Sequence, residues 1–318
     1  PEGILNCAEV FFILFTWFCI SINDMLIKHL SDYYPLHEMV FVRSVIGIVF
    51  SLILVQLEGG WRILKTSRPG LHFLRALMLV MANMLFFTSI TVLPLADASA
   101  IFFISPVLIT LLSVPLLGEA IDRNRIAGVL LGFIGVVIIM QPGKLIDGHP
   151  DFAMYCLPLL AALAYAVMQV LTRKLGVASK ASAIAVYLQL TFMSVAAIFW
   201  VIAGDGRYVD QFQDPGMVFL LRAWEWPASD HLIFLGFLGI LQGIIAYCGA
   251  QAYRLAQVTD VAPFEYAALP LAIFWGWAVF GDLPDQWAMI GMCLIAGAGL
   301  SVYVRKNKSR QDLPLKNH

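Results

Sequence analysis

Apolar runs of about 20 residues, separated by short polar breaks, fill this chain almost from end to end. A helix needs roughly 20 residues to cross about 30 Å of hydrocarbon. On that length the pattern predicts ten spans: Cys7–Leu30, Leu36–Leu57, Leu71–Leu93, Leu95–Leu117, Arg125–Met140, Phe152–Leu175, Ser182–Ala203, His231–Ala256, Val261–Phe280 and Gln286–Val304. One long polar loop, Gly204 to Asp230, parts the seventh span from the eighth, and its Trp224 and Trp226 suit a membrane–water interface. Polar positions also repeat. Asp97, Gly118, Glu119, Asp122 and Gly128 recur as Asp260, Gly281, Asp282, Asp285 and Gly291, all at an offset of 163 residues. Pro106 meets Pro270 with a one-residue slip. The pattern reads as an internal duplication, 1–143 and 150–305, followed by a basic tail, 306–318.

Composition sharpens this picture. Sixty per cent of the 318 residues are hydrophobic and 13% are charged, whereas a soluble domain carries about 25% charged residues. The chain is expected to be an all-α polytopic membrane protein embedded in a lipid bilayer. With the N-terminus inside, 14 Lys and Arg fall on the cytoplasmic side and 4 on the other. That bias predicts both termini in the cytoplasm of a bacterial-type inner (plasma) membrane. The fourth span then ends inside and the ninth outside, so the two five-helix repeats are inverted. Inverted repeats that meet near mid-membrane can rock to open one side or the other, a recurrent design of secondary transporters. Five cysteines, none in a CxxC pair, read as small buried hydrophobes.

The segments Pro115-Leu-Leu-Gly118-Glu119 and Arg125-Ile-Ala-Gly128-Val-Leu-Leu-Gly132-Phe-Ile-Gly135 resemble the EamA-type half of the drug/metabolite transporter superfamily. Phe280-Gly281-Asp282-Leu-Pro284-Asp285-Gln286-Trp287 with Gly291 resembles the same signature again. The resemblance implies a carrier of amino acids, nucleotide-like metabolites or cofactors such as S-adenosylmethionine or riboflavin. It also implies a central cavity lined by spans 1, 3, 4, 6, 8 and 9, with 5 and 10 at the periphery.

Polar groups inside a membrane are costly and therefore candidates for function. Asn83 and Gln242 lie deep in the third and eighth spans. Tyr165, Gln169 and Thr172 share one face of the sixth at i, i+4, i+7, and Gln189 lies in the seventh. Trp17, Ser21, Asp24 and Lys28 form a stripe on the first span, where Asp24 and Lys28 can pair or meet solute. Arg43 requires a partner, with Asp24 or Glu38 in reach. Glu265, beside Pro263, can exchange a proton or hold a substrate ammonium, or pair with Arg75. Tyr247, Tyr266 and Trp275, with Phe86 and Phe87, lie on spans expected around the cavity and favour a flat or cationic solute. Pro106 and Pro270 are expected hinges, and Pro115 and Pro263 further kinks. Asp97, Asp260, Asp122 and Asp285 are expected helix N-caps. Gly239 and Gly243 permit close helix packing.

The expected substrate site therefore comprises Asn83, Gln242, Tyr165, Gln169, Trp17, Tyr247 and Tyr266, with Glu265, Asp24 and Arg43 as charge or proton sites. No HExxH, GxSxG, Walker loop or metal-ligand spacing is present. The expectation is a transporter and not an enzyme: no cofactor, no metal, no nucleic acid, a proton as possible coupling ion, and a monomer or weak homodimer. The favoured solute is an amino acid or related amine, exported; uptake of a cofactor or nucleoside-like solute is the alternative.

Overall fold

A computed structural model describes residues 7–66, 68–117, 123–140, 152–175, 180–255, 265–266 and 268–311. The major helices are α1 (Cys7–Leu30), α2 (Leu36–Glu58), α3 (Pro69–Ile90), α4 (Leu95–Phe102), α5 (Ser105–Leu117), α6 (Arg123–Met140), α7 (Phe152–Leu175), α8 (Ala181–Ala203), α9 (Pro215–Leu221), α10 (His231–Leu255), α11 (Ala268–Trp275) and α12 (Gln286–Gln311). No strand occurs among the described residues. Among the described residues six helices, α1, α2, α3, α7, α8 and α10, are long and apolar enough to cross a membrane. The other four expected spans hold shorter apolar stretches, Leu95–Ile109, Leu130–Ile139, Ala268–Phe280 and Gln286–Ala298.

The fourth span departs from expectation for a local reason. It is not one helix with a proline inside it. It stops at Phe102 and restarts at Ser105, with Pro106 second in the new helix. Pro106 has no N–H to give the carbonyl four residues back, and its ring disfavours helical geometry at the residue before it. The ninth span is also irregular. Glu265 and Tyr266 form a 3₁₀ turn, α11 starts at Ala268 with Pro270 in its first turn, and a π turn covers Gly276–Phe280. Gly281 ends it at φ 72°, a left-handed conformation that suits glycine. Pro106 and Pro270 thus stand near the starts of comparable half-helices rather than in helix interiors. Pro263, Asp260, Asp122, Gly118 and Glu119 lie outside the described residues.

Helices recur at related spacings. α2 and α8 begin at residues 36 and 181, an offset of 145. α6 and α12 carry Gly128 and Gly291 at an offset of 163. The offset lengthens at the loop between α8 and α10, where α9 sits as an extra element. Helix partners exchange under the same correspondence: α3 packs on α7 as α10 packs on α1, while α2 pairs with α8 and α6 with α12.

Small residues set these contacts. A Cβ on Gly239 would meet Ile46 at 2.4 Å, and one on Gly243 would meet Phe50 at 2.8 Å, so α10 lies close against α2 as expected. Gly135 and Gly291 bring the α6 and α12 backbones together; a Cβ on either would fall within 2.8 Å of the other's carbonyl oxygen. Asp285 caps α12 by accepting from the Ala288 amide at 2.7 Å. Asp97, the other described acid expected to cap, does not: α4 begins after Pro94, Asp97 lies in the first turn, and its buried Oδ1 has no hydrogen-bond partner. In the long loop Trp226 is 93% exposed, whereas Trp224 packs among His37, Phe41 and Trp200.

Candidate functional site

A cavity lies among α1, α2, α3, α4, α7, α8, α10 and α11, with about 1400 Å³ of empty volume, open solvent included. No described residue of α6 or α12 lines it. α2 and α8 join the expected wall through Arg43, Ile184, Leu188 and Phe192. Its surface is mostly apolar, with two polar clusters.

The first cluster joins α1, α2 and α3. Arg43 is 1% exposed; its Nη1 donates to Asn23 Oδ1 at 3.1 Å and its Nη2 to Asn83 Oδ1 at 3.0 Å. Asn23 Nδ2 in turn donates to Asp24 Oδ1 at 3.1 Å, and Asn83 Nδ2 to the Leu79 carbonyl at 3.1 Å. The guanidinium also stands over the Phe87 and Phe192 rings, 5.4 and 5.5 Å from their centres. Its partners are therefore neutral amides and ring faces, not the expected ion pair with Asp24 or Glu38. Glu38 accepts from the Glu225 amide at 3.3 Å instead. Asp24 does not pair with Lys28 either. Lys28 Nζ donates to the Leu93 carbonyl at 2.9 Å, lies over the Phe280 ring and faces Asp282 at 3.9 Å.

The second cluster joins α3 and α7. Arg75 Nε donates to Thr172 Oγ1 at 2.6 Å. Gln169 Nε2 donates to the Tyr165 hydroxyl at 2.7 Å, and that hydroxyl donates to Glu265 Oε1 at 3.3 Å. The expected face of Tyr165, Gln169 and Thr172 does line the cavity, whereas Glu265 is fully buried behind Tyr165. Arg75 turns to Thr172, not to Glu265.

Asn83, Gln242, Tyr165, Gln169, Trp17, Asp24 and Arg43 all reach the cavity wall. Tyr247 and Tyr266 do not. The Tyr247 hydroxyl donates to Glu58 Oε1 at 2.9 Å, beside Ser182 Oγ on Glu58 Oε2 at 2.7 Å, so it ties α10 to α2 and α8. Tyr266 packs against Phe103 in a buried cluster with Trp17. Trp275 Nε1 donates to Ser21 Oγ at 3.3 Å. Gln189 is fully buried with both amide atoms unpartnered, against Gly47. Sequence reasoning missed Asn23, hidden beside Asp24, and Arg75, which reads as an ordinary cation near a helix start. Among the described residues no group of three His, Cys, Asp or Glu could hold a metal.

Residues 8–141 match the EamA-like transporter family. The chain carries an EamA domain. The chain is 26% identical over 298 residues to an S-adenosylmethionine uptake transporter of Rickettsia prowazekii, covering 92% of this chain and 93% of the relative. It is 27% identical over 260 residues to a riboflavin transporter of Brucella anthropi, covering 82% and 85%. It is also 27% identical over 288 residues to the pseudopaline exporter CntI of Pseudomonas aeruginosa, covering 90% and 92%. A solved crystal structure shares its fold with a TM-score of 0.67 at 20% identity, covering 94% of this chain and 99% of that one.

Proposed function

We propose that this multi-pass transporter of the DMT/EamA kind carries a small amphoteric organic solute, an amino acid or related amine, by alternating access. The observation that carries the reading is the first cluster: a carboxylate, a guanidinium and two amides on one wall of a mostly apolar, aromatic-lined cavity. Apolar walls with a few placed polar groups are what small-molecule sites use to bind and orient a ligand. The exchange of helix partners between the halves supports two five-helix repeats, 1–143 and 150–305, inverted in the membrane. Pro106 and Pro270, near the starts of comparable half-helices, are proposed as the bending points. The Lys and Arg distribution supports an inner-membrane protein with both termini, and the tail 306–318, in the cytoplasm.

Export of the amine-bearing solute is the first reading. Uptake of a ring-bearing cofactor or nucleoside-like solute is the second. It is favoured by Trp17, Phe86, Phe87, Phe102 and Phe103 around the cavity and by relatives named for S-adenosylmethionine and riboflavin. Protein in sealed liposomes, supplied with labelled amino acids, S-adenosylmethionine and riboflavin but no nucleotide, tests both. Movement of amino acids supports the first and movement of either cofactor the second; chemical conversion supports an enzyme; no movement of any solute sinks the carrier reading. Glu265 is proposed to exchange the coupling proton through Tyr165. Glu265→Gln should then flatten the pH dependence of transport, and an unchanged profile removes Glu265 from coupling.

A further inference from the structure

We propose that Arg75 is a carboxylate subsite of the cavity, separate from the Arg43 cluster and resting on the carrier reading above. Arg75 lines the cavity yet is only 7% exposed, so its charge is largely withdrawn from water. One bond fixes it: Nε donates to Thr172 Oγ1 at 2.6 Å, and that hydroxyl donates to the Met168 carbonyl at 2.8 Å. The anchor sets the plane of the guanidinium. It leaves the two terminal nitrogens without a hydrogen-bond partner among the described residues, and no described carboxylate pairs with them. Arg43 is the internal contrast, because both of its terminal nitrogens are taken by asparagines.

A buried guanidinium without a counter-charge carries a heavy desolvation cost unless an anion and further hydrogen bonds offset it. The planar fork matches the two oxygens of a carboxylate, and a pinned Nε presents the opposite edge for bidentate contact. Arg75 and Asn83 are eight residues apart on α3, which is about 12 Å along the helix axis. Phe86 and Phe102, also on the cavity wall, offer ring faces to the rest of such a solute. The ligand class is therefore an organic carboxylate with a flat apolar body, bound by its carboxylate at the Arg75 end.

Benzoate and benzamide test this, since they share shape and differ in charge. Binding to purified full-length protein can be followed by tryptophan fluorescence, because Trp17 lines the cavity. Hydrogen bonds to a charged group contribute about 1.5–3 kcal/mol, so the wild type should bind benzoate at least about tenfold tighter than benzamide. Arg75→Gln should erase the difference, Arg75→Lys should keep part of it, and Thr172→Val should weaken benzoate several-fold while leaving benzamide unchanged. Equal affinities in the wild type, absent benzoate binding, or a preference that survives Arg75→Gln each overturn the assignment. If Arg75→Gln does not fold, the wild-type contrast and Thr172→Val still decide it. Liposome transport on the same preparation separates the two claims. Transport without a benzoate preference removes Arg75 alone. A benzoate preference without any transport removes the carrier reading.

Discussion

Two arginines share one cavity and are held in opposite ways. Arg43 is enclosed: two asparagine oxygens, two aromatic faces and a nearby carboxylate chain surround it, and 1% of its surface is exposed. Arg75 is pinned at Nε by one threonine and otherwise open to the cavity. The same side chain thus acts in one place as a strut binding three helices and in the other as a fixed but unfilled fork. A side chain whose terminal nitrogens are both engaged inside the protein braces the wall that its cluster presents to solute, as Arg43 does although its buried Nε has no partner. One held in place with bonds to spare is equipped for a ligand.

The largest expected effect comes from opening the Arg43 strut. Asn83→Leu removes one acceptor from a buried guanidinium, at a cost of about 2 kcal/mol or more. Thermal melting in detergent should show a clear loss of stability together with lost transport. Asn83→Asp keeps an oxygen acceptor for Arg43 and should restore most of the stability. If Asn83→Leu melts like the wild type, Arg43 is not a strut, and the contrast with Arg75 fails. Asn83 is therefore both a wall residue and a support, and lost transport in the leucine variant alone does not assign it to solute.

A smaller effect, of opposite sign, is expected at Gln189. Both of its amide atoms are buried without partners, and leaving such groups unmade costs about 1–3 kcal/mol. Gln189→Leu should raise the melting temperature. If it does so while transport falls, the amide finds its partner in another state of the cycle or in the bound solute. If stability drops instead, the amide is bonded and does not belong with the open groups.

Much of the scaffold was legible because a membrane helix is specified by a length of apolar residues, which depends on neighbours in sequence. α1 ends at the expected residue, and α2 and α8 differ from expectation by one residue at one end. The polar face of Tyr165, Gln169 and Thr172 was legible for the same reason, since helical period alone puts the three together. What was not legible depends on partners distant in sequence. Tyr247 lies at a depth that suits a cavity, yet its hydroxyl is claimed by Glu58, 189 positions away. Arg75 resembles a cation snorkelling at a helix end, and only Thr172 on α7, 97 positions away, reveals that it is held inside. Arg43 could be assigned a need for partners, but not the choice of amides over carboxylates. That choice follows from where α1 and α3 bring Asn23 and Asn83 to the guanidinium.

The smallest effect separates two acids that carry the same expectation, a helix N-cap, at the starts of different helices. Asp97 and Asp285 are both expected to cap the helices that follow them, but Pro94 ahead of α4 shifts the helix start and leaves Asp97 in the first turn. Asp285 is partnered, with the Ala288 amide 2.7 Å away; Asp97 has a buried oxygen with no partner. Asp285→Ala should cost about 1 kcal/mol, the usual worth of an N-cap. Asp97→Asn leaves no capping bond to lose, so it should be neutral or slightly stabilising in the same melting assay. Equal losses would mean that Asp97 caps α4 after all. The distinction between a filled and an open polar group would then fail at its lowest magnitude, where the sequence expectation and the local geometry disagree most directly.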